Sequence, residues 1–349
     1  MKTILVYALT IAVVLSMAAC GGAGNSAEPE ENVYSKLEAV ELIGADSTGV
    51  GSAGQLFGQY FAQRVFEITG GKLSVDYHPN GELVGDLGLI RMMKANQIQV
   101  VVCQTAPMVS FVPEMAVFDL PMVFFKYDGD RIDAVLNGQN DFTAILSDAY
   151  EDAGFHLLGF LQDGTYRLTT ANRALNTLED FEGLSIRTME NSNQMAFWSA
   201  LGAMPAPLPW ADAPDALRNG QVDAQENAAD TIFSASLQDV QHYLAYTNHM
   251  LYCNQICISK EAWDSLDPAY QAAIEQAAAE AIEYVRPLLA EVDRYFKQKL
   301  AEAGMTVIEY DASFYDRILA LDSVKALYEN IDKNQTNGLG TLLEGELNK

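Results

Sequence analysis

From Leu37 onward, short apolar runs alternate with stretches whose apolar residues recur at helical spacing. AVELIG (39–44) reads as a strand, and residues 55–69 place Leu56, Tyr60, Phe61, Val65 and Ile68 on one helical face. After the turn at Gly70-Gly71 come a strand KLSVDY, a helix over 86–96 and a buried strand QVVVCQ. This β-α-β-α-β order predicts an α/β layer built on a largely parallel sheet. A second such pattern starts near Gly164: strand TYRLTT, a helical turn LEDFEG and strand LSIRT. It continues with a helix over 191–201, an extended APLPW, a helix over 212–219 and a return to the sheet through QVDAQEN. Two such units in one chain predict two lobes with a cleft between them.

The last third reads as helical. Asp267-Pro268 supplies a cap and a pre-set first turn, and Gly304 a stop. The long helix expected over 268–303 contains Pro287, which predicts a kink. At about 1.5 Å per residue it extends on the order of 50 Å, enough to cross both lobes. The amino-terminal segment is of another kind. Lys2 precedes an apolar run from Ile4 to Val14, and Ala18-Ala19-Cys20 follows. That layout is an export signal. Its ending resembles a bacterial lipoprotein signal, in which Cys20 is lipidated, although Met17 stands where such signals usually carry Leu. Residues 1–19 are then the signal, and the Gly, Ser, Pro and Glu of 20–36 a flexible tether.

Composition narrows the function. The 349 residues include 21 Lys and Arg against 47 Asp and Glu, a net charge of −26. Clustered basic residues are what a phosphate backbone needs, so nucleic acid is excluded as a partner. The same number, at face value, also speaks against an anionic ligand. Besides Cys20 there are Cys103, Cys253 and Cys257; the odd count leaves at least one thiol free. Cys253 and Cys257 read as buried thiols or as a disulfide, and no second Cys or His pair completes a metal site. Hydrolase and Walker motifs are missing, and the four histidines lie on different elements. Gly49-Val50-Gly51-Ser52-Ala53-Gly54 fits the G-x-G-x-x-G pattern, with Asp76 as a candidate ribose ligand. However, Gly49 lies five residues beyond Gly44, not at the tight turn off the strand. Arg187 carries more information. A guanidinium among apolar neighbours in strand LSIRT requires either a structural carboxylate or a ligand. Arg167, in TYRLTT, opens the same lobe and can face the same crevice.

Four segments, in order, carry a resemblance: GGKLSVDYHPNGELVGD, FVPEMAVFDLPMVF, LEDFEGLSIR and ALGAMPAPLPWADAPDALRNGQVDAQEN. From Leu37 to Ile308 the chain resembles the extracytoplasmic solute-binding proteins of tripartite ATP-independent periplasmic (TRAP) transporters, of the DctP type. The resemblance implies a two-lobed periplasmic-binding-protein clamp, each lobe a mostly parallel sheet flanked by helices. By that resemblance, Arg187 makes a bidentate pair with a ligand carboxylate, a match for its planar fork. Arg167 and the amide of Asn227 assist it, and Trp210 lines the pocket with an aromatic wall. Gln104 and Ser47 (or Asp46) complete the polar wall. Where the family motif continues to proline, this chain has Ala228, with a small effect expected on the turn.

The expected organisation is lobe I from 37–163 and 254–290, and lobe II from 164–253 and 291–335. The expected function is capture of a small organic acid and its delivery to a TRAP permease. The protein is expected to be a monomer, lipid-anchored on the outer side of the membrane, with no cofactor, metal or catalytic residue. Two alternatives stay open: a binding protein that feeds a sensor kinase, and an exported dinucleotide-dependent enzyme.

Overall fold

In the computed structural model, residues 33–349 are described; the signal segment and Cys20 lie outside them. Strands β1 (Val40–Asp46), β2 (Leu73–His78), β3 (Val100–Gln104) and β4 (Phe155–Leu161) belong to a first sheet. A strand from much later in the chain, β10 (Asn254–Ser259), completes it, giving the order β2-β1-β3-β10-β4. The second sheet has the order β11-β9-β5-β8-β6-β7. Its members are β5 (Leu168–Ala171), β6 (Ser185–Thr188), β7 (Met204–Pro207), β8 (Ala224–Asn227), β9 (Tyr243–Ala245) and β11 (Thr306–Ile308).

Each sheet has a parallel part and one strand of opposite sense. β1 runs parallel to β2 and β3, but β10 is antiparallel to both β3 and β4. In the second sheet β6 is parallel to β7 and β8, whereas β5 is antiparallel to β8 and β9. The reversed strands, β5 and β10, are those entered by a chain crossing between the sheets, so they arrive from the opposite end. The largely parallel expectation therefore holds for the βαβ portions and becomes a mixed sheet at each crossing.

Helix α1 (Ala53–Ile68) is capped by Ser52, whose hydroxyl accepts from the Gln55 amide, and it buries Phe57, Phe61 and Val65 against the first sheet. Helix α2 (Asp86–Lys94) buries Leu89, Ile90 and Met93. The long helix runs over Pro268–Glu302, with the Asp267 carboxylate accepting from the Ala269 amide, and continues through Pro287. Its small residues Ala273, Ala277, Ala278 and Ala281 allow close approach to α1. Further along, the helix meets the short helix Ala229–Ser234 of the second sheet, so one rod touches both lobes. The last four residues of the expected tether, 33–36, form a 3-10 turn, and Tyr34 stacks on Tyr270 of the rod. The carboxy-terminal helix Leu339–Leu347 returns to the first lobe, packing on helices Gly129–Leu136 and Asp141–Ala153. Cys103, Cys253 and Cys257 are free and buried. Among the described residues no helix is long and apolar enough to cross a membrane.

Candidate functional site

Strand ends converge between the sheets. β1, β3, β6 and β8 end at Asp46, Gln104, Thr188 and Asn227. Because β5 is antiparallel to β8, with Leu168 opposite Asn227, its amino end lies beside β8's carboxyl end. That register brings Arg167 to Glu226 and Asn227. The result is an inner cavity of about 40 Å³, and all six residues singled out from the sequence line it: Ser47, Gln104, Arg167, Arg187, Trp210 and Asn227. It adjoins a vestibule of about 500 Å³ that shares Ser47, Asp86, Arg187, Met189 and Trp210. At roughly 10–15 Å³ per water, the inner part admits about three waters or one head group.

The two arginines are in different chemical states. Arg167 is 2% exposed and its Nε donates to Glu226 Oε2 in a buried ion pair. Its Nη2 donates to Glu226 Oε1 at 3.0 Å and its Nη1 to Gln104 Oε1 at 3.1 Å. The Tyr252 ring lies 5.6 Å from the guanidinium. Its charge is therefore matched within the protein. Desolvation works to raise the Glu226 carboxyl, but the Arg167 charge and bonds from His249 and Arg167 outweigh it and hold it at about 2.

Arg187 is equally buried, at 2% exposed, yet among the described residues no carboxylate forms an ion pair with it. Nε and Nη2 both donate to the Leu208 carbonyl, at 2.9 and 2.7 Å, and the Trp210 ring lies 5.5 Å from the guanidinium carbon. Lost hydration pulls its pKa from 12.5 to about 10, with the Arg167 charge acting in the same direction. Side-on binding to Leu208 leaves the end-on edge, Nη1 and the second Nη2 hydrogen, for an external acceptor. A planar fork of that kind matches two carboxylate oxygens.

The remaining residues divide between scaffold and cavity. Gln104 donates to Asn254 Oδ1 at 2.8 Å while accepting from Arg167, so both its polar ends are used. Asn227 Oδ1 accepts from the Ala228 amide at 3.0 Å, and among the described residues its Nδ2 has no protein partner. Ala228 itself takes φ −73°, the angle proline fixes, so the turn keeps its geometry without the proline. Trp210 is half-buried against the Leu168–Leu217–Ile232 core, so it serves packing and cavity together.

Ser47 donates to Asp86 Oδ1, a residue the sequence reading did not single out. Asp46 organises the loop before α1: Oδ1 accepts from Thr48 N, Thr48 Oγ1 and Asn80 N, and Oδ2 accepts from Tyr77 Oη at 2.9 Å. Glu226 and Tyr252 were also missed. For Glu226 the signal was present, since an acidic residue inside a fully buried strand requires a partner. The glycine motif has a steric explanation. A Cβ on Gly49 would sit 2.9 Å from Ser234 Oγ across the cleft, and one on Gly54 would sit 2.5 Å from Thr48 Cγ2. Asp76 pairs with His78 at 3.3 Å on the outer strand β2.

A larger groove, about 720 Å³, lies between residues 133–159 and the long helix. Among the described residues its one cation is Arg286, which is already paired with Asp130, Asp133 and Asp163. Among the described residues no group of three His, Cys, Asp or Glu side chains is arranged to hold a metal ion.

The profile described as DctP, bacterial extracellular solute-binding protein, family 7, matches residues 51–345. The C4-dicarboxylate-binding periplasmic protein DctP of Rhodobacter capsulatus is 27% identical over 70% of this chain and 73% of its own. A TRAP periplasmic solute-binding protein from Ochrobactrum anthropi is 30% identical, with a TM-score of 0.78 over 89% of this chain and 95% of that one. The sugar acid binding protein DctPAm of Advenella mimigardefordensis, solved with galactonate, is 26% identical, with a TM-score of 0.81 over 89% of this chain and 100% of that one. Two of these relatives are described as periplasmic, and the profile covers every strand except β1, together with the long helix. The chain belongs to the DctP family of bacterial extracellular solute-binding proteins.

Proposed function

We propose that this protein captures an organic carboxylate between its lobes, anchors it on Arg187 and releases it to a TRAP-type permease. The observation that carries this reading is a buried guanidinium that, among the described residues, has no carboxylate of its own and faces a cavity with one edge of its fork unused. An unpaired charge is not kept in a dry interior unless something outside the chain completes it. Asn227 adds an amide donor beside it, while the neutral Arg167–Glu226 pair builds the wall.

The lobes we assign are 37–163 with 254–290, and 164–253 with 291–335; strand membership of the two sheets supports the division. Closure then brings Gly49 to Ser234 across the cleft, and the rod from Pro268 serves both lobes. We assign Cys20 as the lipidated residue holding a single copy of this non-enzymatic protein on the extracytoplasmic side, in the periplasm or at the outer face of the cell membrane. Cys20→Ala should move it from the membrane to the soluble fraction.

A thermal-shift screen across an organic-acid library tests the binding function. A ligand at 100 times its Kd adds about 2.7 kcal/mol to stability, a readily visible shift. Failure of every carboxylate to shift the transition would overturn the reading.

A further inference from the structure

Away from the ligand cavity, a buried carboxylate joins the two lobes. Asp119 ends the 3-10 turn Pro113–Asp119 on the first-sheet side and is 2% exposed. It faces the amino end of the helix Ser192–Ala200, which follows β6 on the second-sheet side. Its Oδ2 accepts from Asn191 Nδ2 at 2.7 Å and Asn193 Nδ2 at 3.3 Å, and its Oδ1 from Gln194 Nε2 at 3.4 Å. Asn191, four residues on from Arg187, also donates to the Ala106 carbonyl beyond β3 at 3.0 Å. The carboxy-terminal segment reaches the same point. Its helix Asp322–Glu329 packs on Ser192–Ala200, and its π-helical turn Asn330–Gln335 packs on Pro113–Asp119. Asn193 and Gln335 exchange two bonds of 2.9 Å there. One carboxylate therefore stands where three segments meet and where the last one crosses between lobes.

The node has partners for two charge states. Three amides donate to the ionised acid, and among the described residues no cation forms an ion pair with it. Beside it, Gln194 Oε1 is buried and, among the described residues, has no donor. A carboxylic acid carries the proton that this acceptor lacks. Protonated on Oδ1, and with the Gln194 amide turned, Asp119 donates to Oε1 while Oδ2 still accepts from Asn191. Lost hydration raises the Asp119 carboxyl to about 7, with the three amides and the Arg167 charge opposing the rise.

The neighbouring charges are engaged elsewhere or reach solvent. Neither Ser192–Ala200 nor Thr105–Met108 carries a titratable group. His249, stacked on Phe197, is held by Glu226. On the other elements packed against the turn, Asp332 is bound by Thr341, Lys333 by Glu329, Glu346 by Lys349, and Glu151 by His156 and Lys260. Tyr150 donates to Gln255, and Asp141, Asp148 and Asp152 are exposed, with Glu114 and Glu344 partly so. Because the three amide donors belong to the facing lobe, parting the lobes returns water to Asp119 and its pKa toward 3.8. The closed state then holds the proton more tightly, so closure is favoured as pH falls through 7 and opposed above it.

We propose that Asp119 is a proton-operated latch between the lobes: protonated, it lets Ser192–Ala200 stay docked and the clamp closed, and ionised, it favours the open clamp. The device is separate from the carboxylate anchor at Arg187, although the two lie four residues apart along the chain through Asn191.

Double electron–electron resonance on the ligand-free Cys20→Ala chain tests it. Spin labels go on Val50→Cys and Met204→Cys, exposed positions on opposite lobes, while Cys103, Cys253 and Cys257 are buried. A single proton bound with a value of about 7 in the closed state makes the closed-to-open ratio about tenfold higher at pH 6 than at pH 8. A rise of at least fivefold is expected, and less than twofold in Asp119→Asn, whose amide keeps the size without the charge. A near-ultraviolet dichroism spectrum matching wild type checks that this variant is folded. Asp86→Asn, which removes the other buried acid raised to about 6, should keep the rise. A wild-type ratio that is unchanged, or that falls, between pH 8 and pH 6 would overturn the latch. So would a rise retained in folded Asp119→Asn or lost in Asp86→Asn. No ligand is added, so failure here is distinct from failure of Arg187 to bind a carboxylate.

Discussion

Arg187→Met separates binding from folding, because the two respond in different ways. In the unliganded protein the guanidinium is charged and dry, and its pKa has fallen from 12.5 to about 10. At ~1.4 kcal/mol per pKa unit this is roughly 3 kcal/mol against the fold. The sign follows from a base whose folded value lies below its unfolded one: the penalty is fully present at any pH below about 10. Methionine removes it with a side chain of similar length. Against this gain, the Leu208 carbonyl loses both donors, at 2.9 and 2.7 Å. An unsatisfied buried carbonyl costs about 1–3 kcal/mol. The two effects nearly cancel. A chain of this size shifts by roughly 1–2 °C per kcal/mol, so the unliganded melting midpoint should stay within about 5 °C of wild type. Binding has no such compensation. Removing one partner of a buried charged pair costs about 2–5 kcal/mol, roughly 30-fold to 5,000-fold in Kd. Arg187→Lys keeps the charge without the fork and should lose at least about tenfold. Scanning calorimetry without ligand and titration with the acid found by screening give both numbers. A Kd within threefold of wild type would refute Arg187 as anchor. An unliganded midpoint more than about 10 °C lower would refute the argument that its burial opposes folding.

Other substitutions probe the scaffold behind the site. Gly58→Ala should destabilise by about 1–3 kcal/mol in chemical denaturation despite alanine's better helix propensity, because its Cβ would sit 1.8 Å from Tyr77 Oη and push that ring from Asp46. Gly49→Leu, which meets Ser234 across the cleft, should weaken ligand binding and hold the lobes apart, visible as a larger liganded radius of gyration in solution scattering. Glu226→Gln should lower stability at pH 7 by about 3–5 kcal/mol, since Arg167 loses its buried partner. Wild-type Glu226 is depressed from 4.5 to about 2; its stabilisation is present above pH 4.5 and lost as pH falls toward 2, about 3 kcal/mol that denaturation midpoints should show and the variant should lack. Stopped-flow association of the anionic ligand should speed up with added salt, as screening relieves repulsion from a −26 surface; a rate that falls with salt would contradict this.

Much of the architecture is local and was legible for that reason. The helical spacing of Phe61 and Val65, the apolar run at Val100–Gln104 and the Asp267-Pro268 start each act within a few residues, and these elements form within one or two residues of expectation, although α1 buries Phe57 where Leu56, expected on that face, is exposed. Strand direction is different. β10 enters between β3 and β4 from about 150 residues away, as the Gln104–Asn254 pairing shows, and nothing inside NQICIS states its sense. TYRLTT also starts later than its composition suggests: Tyr166 makes only an isolated bridge to Leu251, and the strand opens at Leu168. Asp86 was illegible for a compositional reason. In a chain with 47 acidic residues, one more aspartate at the start of a helix carries no signal until it is seen lining a cavity.

The two arginines explain why neither composition nor motif alone decides the ligand's sign. Both are 2% exposed, both lie at strand ends, and both look alike in sequence. The antiparallel register of β5 and β8 aligns Leu168 with Asn227, and so delivers Glu226 to Arg167, with His249 as its second partner. The fold thus neutralises one guanidinium with its own acid and leaves the other dry and short of a partner. Charges on the −26 surface are screened over roughly 8–10 Å, whereas Arg187 acts at contact in a space that holds one head group. A single strand register thus decides which of the two guanidiniums is left open for the proposed carboxylate.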